Sequence, residues 1–203
     1  EPTATKIAQG GLARRAAMLL VHAADVPPDV SVSPPPALFE DAADWFRSMS
    51  YGRLEFQVDT PPRWLALPST STVYLNDPAR YLRDSVAAAD PFVDFSQVDV
   101  VYLAPASRTP ETRTSAILNG FGVRADGREI RLWVPWQAGF AHEANTDPWI
   151  LIHETGHLLN ITNDPSGQFV HINTRTDPTR PGTGREVRDD IVSRRRLMFA
   201  FSN

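Results

Sequence analysis

The sequence of 203 residues has no cysteine, and Lys6 is its single lysine among 20 basic residues. Without cysteine the chain can form no disulfide framework, no thiol nucleophile and no cysteine-ligated metal site. No apolar run approaches the roughly 18 residues of a membrane span, so we expect none. The net charge is −4, which argues against a nucleic-acid-binding surface.

Hydrophobic residues make up 42% of the chain, which is enough for a substantial core. The length suits one domain, residues 1–203. We divide it into a polar lead-in over residues 1–15, a sheet-and-helix part over residues 16–160 and an irregular part over residues 161–203. The last part is interrupted by Pro165, Gly167, Pro178, Pro181, Gly182 and Gly184.

Apolar runs, alternation and helical periodicity predict strands and helices in an order typical of the α/β (α+β) class. The predicted strands are Ala16–His22, Arg53–Val58, Val98–Leu103, Ser115–Val123 and Glu129–Trp136, the last two joined by a turn at Asp126-Gly127. Trp64 is placed in a loop. The predicted helices are Ala37–Ser50, Ala79–Ala89, residues 148–159 and Arg185–Phe199. This order predicts a mixed, twisted sheet with helices packed on it.

One motif points to chemistry: His153–His157 has the pattern H-E-x-x-H. Residues four apart lie on one face of a helix, so His153 and His157 can reach the same metal ion. Glu154 follows His153 around the helix, where it can reach a metal-bound water molecule without binding the metal. Two imidazoles and a carboxylate at this spacing are typical of zinc peptidases.

The surrounding sequence predicts a buried helix. Asp147-Pro148 supplies an N-cap and a proline at the first helical position. Glu154 is the only charged residue within 148–159, and the motif is flanked by Ile150, Leu151, Leu158 and Leu159. The alternative is a pair of core histidines with a chance glutamate. Burial of polar groups costs free energy unless they are hydrogen-bonded or bind a metal, and this favours the metal site.

Four segments, in this order and spacing, resemble the immune-inhibitor-A-type secreted metallopeptidases, and more distantly snapalysin and other metzincins. They are LLVHAAD at 19–25, FRSMSYGRL at 46–54, DFSQVDVVY at 94–102 and HETGHLL at 153–159. The resemblance covers roughly residues 16–164. It implies a metzincin-like catalytic domain with a central H-E-x-x-H helix, zinc-dependent endopeptidase activity on protein or peptide substrates, and secretion from a bacterium.

The family pattern continues with x-x-Gly and then a third ligand, Asp or His, six residues after the second histidine. Here Asn160 stands at the glycine position and Asn163 at the ligand position. Asn160 is a mild change, because asparagine tolerates a left-handed helix end next best after glycine. A neutral amide oxygen is a poor zinc ligand beside a carboxylate. Asp164, the next residue, is therefore the preferred third ligand.

Other residues remain open for the metal site. Glu186, with Asp190 one turn further on, could supply the third ligand as in thermolysin-like enzymes. His171 could bind the metal, stabilise an oxyanion or be an ordinary loop histidine. Met198 is the only methionine after the motif. It is therefore the one candidate for the methionine turn that metzincins place beneath the metal; the alternative is a packing residue near the C-terminus.

The predicted reaction is hydrolysis of peptide bonds, with zinc held by His153, His157 and Asp164. Glu154 would act first as general base and then as general acid. The strand around residues 132–134 could hold substrate as an added strand. The alternative function is a degenerate protease-like domain that binds a partner without cutting it, because the usual third-ligand position is altered.

Overall fold

The computed structural model describes residues 12–29, 34, 36–109, 121–136 and 148–158; for residues 12, 13, 36, 149, 150 and 157 it describes the backbone alone. Within these ranges the chain has an α/β fold with a mostly parallel sheet and helices on both of its faces. The α/β class predicted from the sequence is therefore confirmed.

The described part of the chain contains seven strands, four α-helices and one turn of 3-10 helix at Phe95–Gln97. The strands are β1 (Leu12–His22), β2 (Leu54–Asp59), β3 (Trp64–Ala66), β4 (Val100–Pro105), β5 (Val123–Ala125), β6 (Arg128–Ile130) and β7 (Leu132–Pro135). The helices are α1 (Pro36–Met49), α2 (Ser71–Asn76), α3 (Pro78–Ala89) and α4 (Trp149–Leu158). None of these described helices is long and apolar enough to cross a bilayer.

Strand β1 is the centre of the main sheet. One of its edges pairs with β4, and the other pairs with β2 along the first half of β1 and with β3 along the second half. Strand β7 pairs with the far edge of β4. Every pairing that the described residues make in this sheet is parallel, where the sequence predicts a mixed sheet. The antiparallel pair is the separate β5–β6 hairpin.

The side chains of β1 alternate between two cores, one on each face of the sheet. Ala16, Met18 and Leu20 pack with α1 and α4, whereas Ala17 and Leu19 pack with α3 on the opposite face. A parallel strand covered on both faces is apolar throughout. This explains why the sequence has a continuous apolar run here, and it places α4 on one defined face of the sheet.

Several predicted elements are confirmed within one or two residues: α1, β2, α3 and β4. Within the predicted helix Ala79–Ala89, the helical spacing of the sequence predicts four inward-facing residues, and all are buried: Tyr81, Leu82, Val86 and Ala89. The predicted helix Ala37–Ser50 is followed by Tyr51-Gly52, a pair that ends a helix, and both residues have positive φ. The Gly52 amide donates to the Arg47 carbonyl at 2.8 Å, which closes the last turn of the helix.

Two predictions about β1 and the segment that follows β2 are wrong. Strand β1 begins at Leu12, so residues 12–15 belong to the sheet rather than to the lead-in. Polar Arg14 and Arg15 resemble a lead-in, but β2 pairs with this end of β1 and draws it into the sheet. Trp64 lies in β3 rather than in a loop, because the chain after β2 returns to pair with the second half of β1.

The predicted strand Glu129–Trp136 is two strands that part at Arg131. Residues before it form β6 of the hairpin, and residues after it form β7 of the main sheet. The predicted turn at Asp126-Gly127 is confirmed, with φ of 48° and 75°, values that suit aspartate and glycine. Of the predicted strand Ser115–Val123, Val123 is the only residue that the described part assigns to a strand. Residues 115–120 and the predicted helix Arg185–Phe199 lie outside the described residues.

Asp77 caps α3, and its replacement gives a direct test of this fold. Its carboxylate accepts a hydrogen bond from the Arg80 amide at 2.9 Å, just before Pro78 at the first helical position. We expect Asp77→Ala to lower the free energy of unfolding by about 1 kcal/mol. Thr70 is the N-cap of α2 but accepts no such side-chain bond, so Thr70→Ala is a matched control with a smaller effect. Equal losses in urea unfolding would contradict the capping role of Asp77.

Candidate metal centre

Helix α4 is anchored to the sheet by its apolar half. It packs against α1 and β7 on one face of the sheet. Leu151, Ile152 and Leu158 are buried there. The amide of Ile152 donates to the Pro148 carbonyl at 3.0 Å, so the helix starts directly after this proline. The predicted N-cap, Asp147, lies outside the described residues.

The motif residues divide between the two sides of α4. At about 100° per residue, positions 153 and 157 lie roughly 40° apart, and position 155 lies roughly 180° from their midpoint. Thr155 is fully buried, whereas His153 and Glu154 are half-buried. The helix side that carries positions 153 and 157 therefore faces away from the sheet.

A buried hydrogen bond joins the motif to the middle of the sheet. The Tyr102 hydroxyl lies 2.5 Å from Thr155 Oγ1, and both side chains are fully buried. Tyr102 is in the middle of β4, and its ring packs against Trp136 with ring centroids 5.5 Å apart. One strand next to the sheet centre thus holds α4 through a directional polar contact.

The environment of Tyr102 keeps its hydroxyl protonated. Burial raises the pKa of Tyr102 well above its ordinary value. The hydrogen bond to Thr155 lowers this pKa, and the negative charge of Glu154 raises it.

The donor set of α4 fits a zinc site as far as the described residues extend. Positions 153 and 157 share the outward side of the helix, and imidazole is a preferred zinc ligand. No group of three or more His, Cys, Asp or Glu side chains that could hold a metal occurs among the side chains that the structure describes, which do not include that of His157. The residues considered for the third ligand and the methionine turn lie outside the described part: Asn163, Asp164, His171, Glu186 and Met198.

A histidine and a groove in other parts of the described fold are separate from the motif. His22, at the end of β1, places Nδ1 3.0 Å from the Val26 carbonyl, an arrangement that ties down a loop. A groove of about 360 Å³ lies on the α3 face of the sheet, opposite α4. Its lining contains no histidine: Arg15, Ala17, Asp59, Thr60, Pro61, Phe92, Val93, Asp94, Gln97 and Val98. Neither feature includes a residue of the H-E-x-x-H motif.

Sequence reasoning identified the motif but missed Tyr102 as its partner. The available signal was Thr155 itself, because a hydroxyl in a buried apolar helix requires a hydrogen-bonding partner. The partner lies in a distant strand, at the end of the segment 94–102 that contributes to the family resemblance. No protein-family model matches the chain, and neither does any curated protein.

Proposed function

We propose that the chain is a zinc-dependent endopeptidase with a metzincin-like catalytic domain, secreted from a bacterium. The observation that carries the proposal is the orientation of α4. Its buried side, through Thr155, packs on the sheet, while the side bearing positions 153 and 157 faces away. The H-E-x-x-H spacing thus has the helical arrangement that two metal ligands require.

The proposed ligands are His153, His157 and Asp164, with Glu154 as the proton-transferring residue. Zinc, when bound, supplies Lewis acidity that polarises the scissile carbonyl and acidifies a water molecule. Glu154 takes the proton of the attacking water as general base and passes it to the leaving amine as general acid. The half-buried position of Glu154 supports this role, because a carboxylate there is shielded from bulk water and remains reachable from outside.

The substrate in this proposal is an extended protein segment. Strand β7 pairs with β4 along one edge, and no other described strand pairs with its second edge. Helix α4 packs against β7, so the strand that carries this edge is in contact with the motif helix. An extended peptide can add to a sheet edge through main-chain hydrogen bonds. Such binding is insensitive to most side chains and suits an endopeptidase acting on unfolded protein.

The test is metal analysis of the purified protein together with cleavage of an unstructured protein substrate. We expect about one zinc per chain, cleavage that stops when a chelator removes the metal, and recovery when zinc is restored. A protein without stoichiometric zinc and without cleavage would overturn the proposal. Binding of a partner protein by such a chain would then favour the degenerate, non-catalytic domain that Asn163 suggests.

A further inference from the structure

Thr155 is the least expected residue of α4. A β-branched residue with a hydroxyl is a moderate helix former, and its oxygen must be satisfied when buried. Thr155 lies midway between positions 153 and 157 in sequence and on the opposite side of the helix from both. Its hydroxyl bonds to Tyr102 in β4, 53 positions away in the chain.

The geometry points to Tyr102 and Thr155 as positioning residues of the metal site. Their hydrogen bond fixes the rotation of α4 about its axis, and this rotation sets the directions of positions 153, 154 and 157. This inference rests on the proposed zinc-peptidase function. Apolar contacts of Leu151 and Leu158 hold the helix against the sheet, but such contacts are not directional. The hydroxyl pair is directional, and it stands opposite the ligand positions.

The required precision explains why a directional contact matters. Side-chain tips lie about 5–6 Å from the axis of a helix, so a rotation of roughly 10° moves them by about 1 Å. Metal–ligand distances tolerate only about 0.2 Å. A displacement of about 1 Å at a catalytic group can cost about 10²-fold in rate. A small rotation of α4 would therefore leave the fold intact and still damage the site.

The experiment compares hydroxyl-deleting variants on the two faces of the sheet. Tyr102→Phe and Thr155→Val each remove one half of the pair, whereas Thr155→Ser keeps a hydroxyl. Tyr74→Phe is the matched control: Tyr74 is buried on the α3 face, where its hydroxyl accepts from the Ser69 amide at 3.0 Å and donates to Asp84 at 2.9 Å. This control loses buried hydrogen bonds without touching α4. Zinc affinity by chelator competition, kcat, KM and Tm are measured for each variant.

We expect Tyr102→Phe and Thr155→Val to lower zinc affinity by about 10-fold, as loss of supporting groups does at other metal sites. In zinc-saturated protein kcat should fall with little change in KM. The rotation of α4 changes the position of Glu154, whereas the edge of β7 that is proposed to bind substrate is unchanged. Thr155→Ser should retain most of the wild-type zinc affinity and kcat. Tyr74→Phe should lower Tm and leave zinc affinity and kcat unchanged.

The outcomes separate this inference from the proposed function. Wild-type protein that binds no zinc overturns both. Wild-type protein that binds zinc and cleaves substrate, with Tyr102→Phe matching Tyr74→Phe in zinc affinity and kcat, overturns the positioning role alone. If Tyr102→Phe does not fold, the Thr155→Val and Thr155→Ser pair decides: equal zinc affinity and kcat in those two variants overturn the role of the hydroxyl.

Discussion

We expect Glu154→Gln to retain the fold and the zinc but to lose about 10²–10⁴-fold in kcat, the usual contribution of a general base. The amide has almost the same shape as the carboxylate, so α4 should pack unchanged on the sheet. It cannot accept a proton from water at neutral pH, and the proton transfer proposed for this position fails. Steady-state cleavage of an unstructured protein, with zinc content measured on the same sample, gives both quantities.

The matched control for this variant is Glu40→Gln, which neutralises an exposed carboxylate on α1. It makes the same chemical change outside the motif, and we expect wild-type kcat. If Glu154→Gln also cleaved within a few-fold of wild type, Glu154 would not be the general base. If Glu154→Gln lost zinc, Glu154 would be a metal ligand rather than the residue that transfers the proton.

Asp164→Ala should cause the largest loss of zinc affinity among the candidate third ligands. Two imidazoles alone hold zinc weakly, and catalytic sites normally use three protein ligands. Removing a ligand should cost more than the roughly 10–100-fold that loss of an outer partner costs. We therefore expect a decrease of at least about 100-fold, measured by chelator competition after dialysis.

Matched alanine variants distinguish the alternatives for the third ligand. Asn163→Ala, His171→Ala and Glu186→Ala should each change zinc affinity far less than Asp164→Ala does. A large loss in Glu186→Ala would instead favour the thermolysin-like arrangement, and a large loss in His171→Ala would place the ligand there. Wild-type zinc affinity in all four variants would show that the third ligand is another residue.

The sequence alone was sufficient to predict the elements whose structure depends on residues close together in the chain. Helix α3 follows from its cap at Asp77 and its inward apolar spacing, and the hairpin turn follows from Asp126-Gly127. The motif helix α4 was predicted from the Asp147-Pro148 helix start and from the apolar residues on both sides of the H-E-x-x-H motif. The sequence could therefore place three of the proposed site residues, His153, Glu154 and His157, on a helix without any knowledge of its neighbours.

Features that depend on pairing between distant segments could not be predicted. The strand β3 is three residues long, and only its position beside β1 makes it a strand. The division at Arg131 arises because one half pairs with β5 and the other with β4. The bond between Tyr102 and Thr155 belongs to the same class, because its two halves come together only when α4 packs on the finished sheet.

The central position of β1 has a consequence for the order in which the protein can fold. Its neighbour β2 begins at residue 54, and its neighbour β4 begins at residue 100, so no partner is close in sequence. Parallel pairings across such distances close long loops and form slowly. During synthesis, at about 5–20 residues per second, the apolar run Ala16–Val21 waits several seconds for β4. A nascent chain shorter than about 100 residues exposes that run along a bare edge, so it should aggregate or bind a chaperone rather than fold.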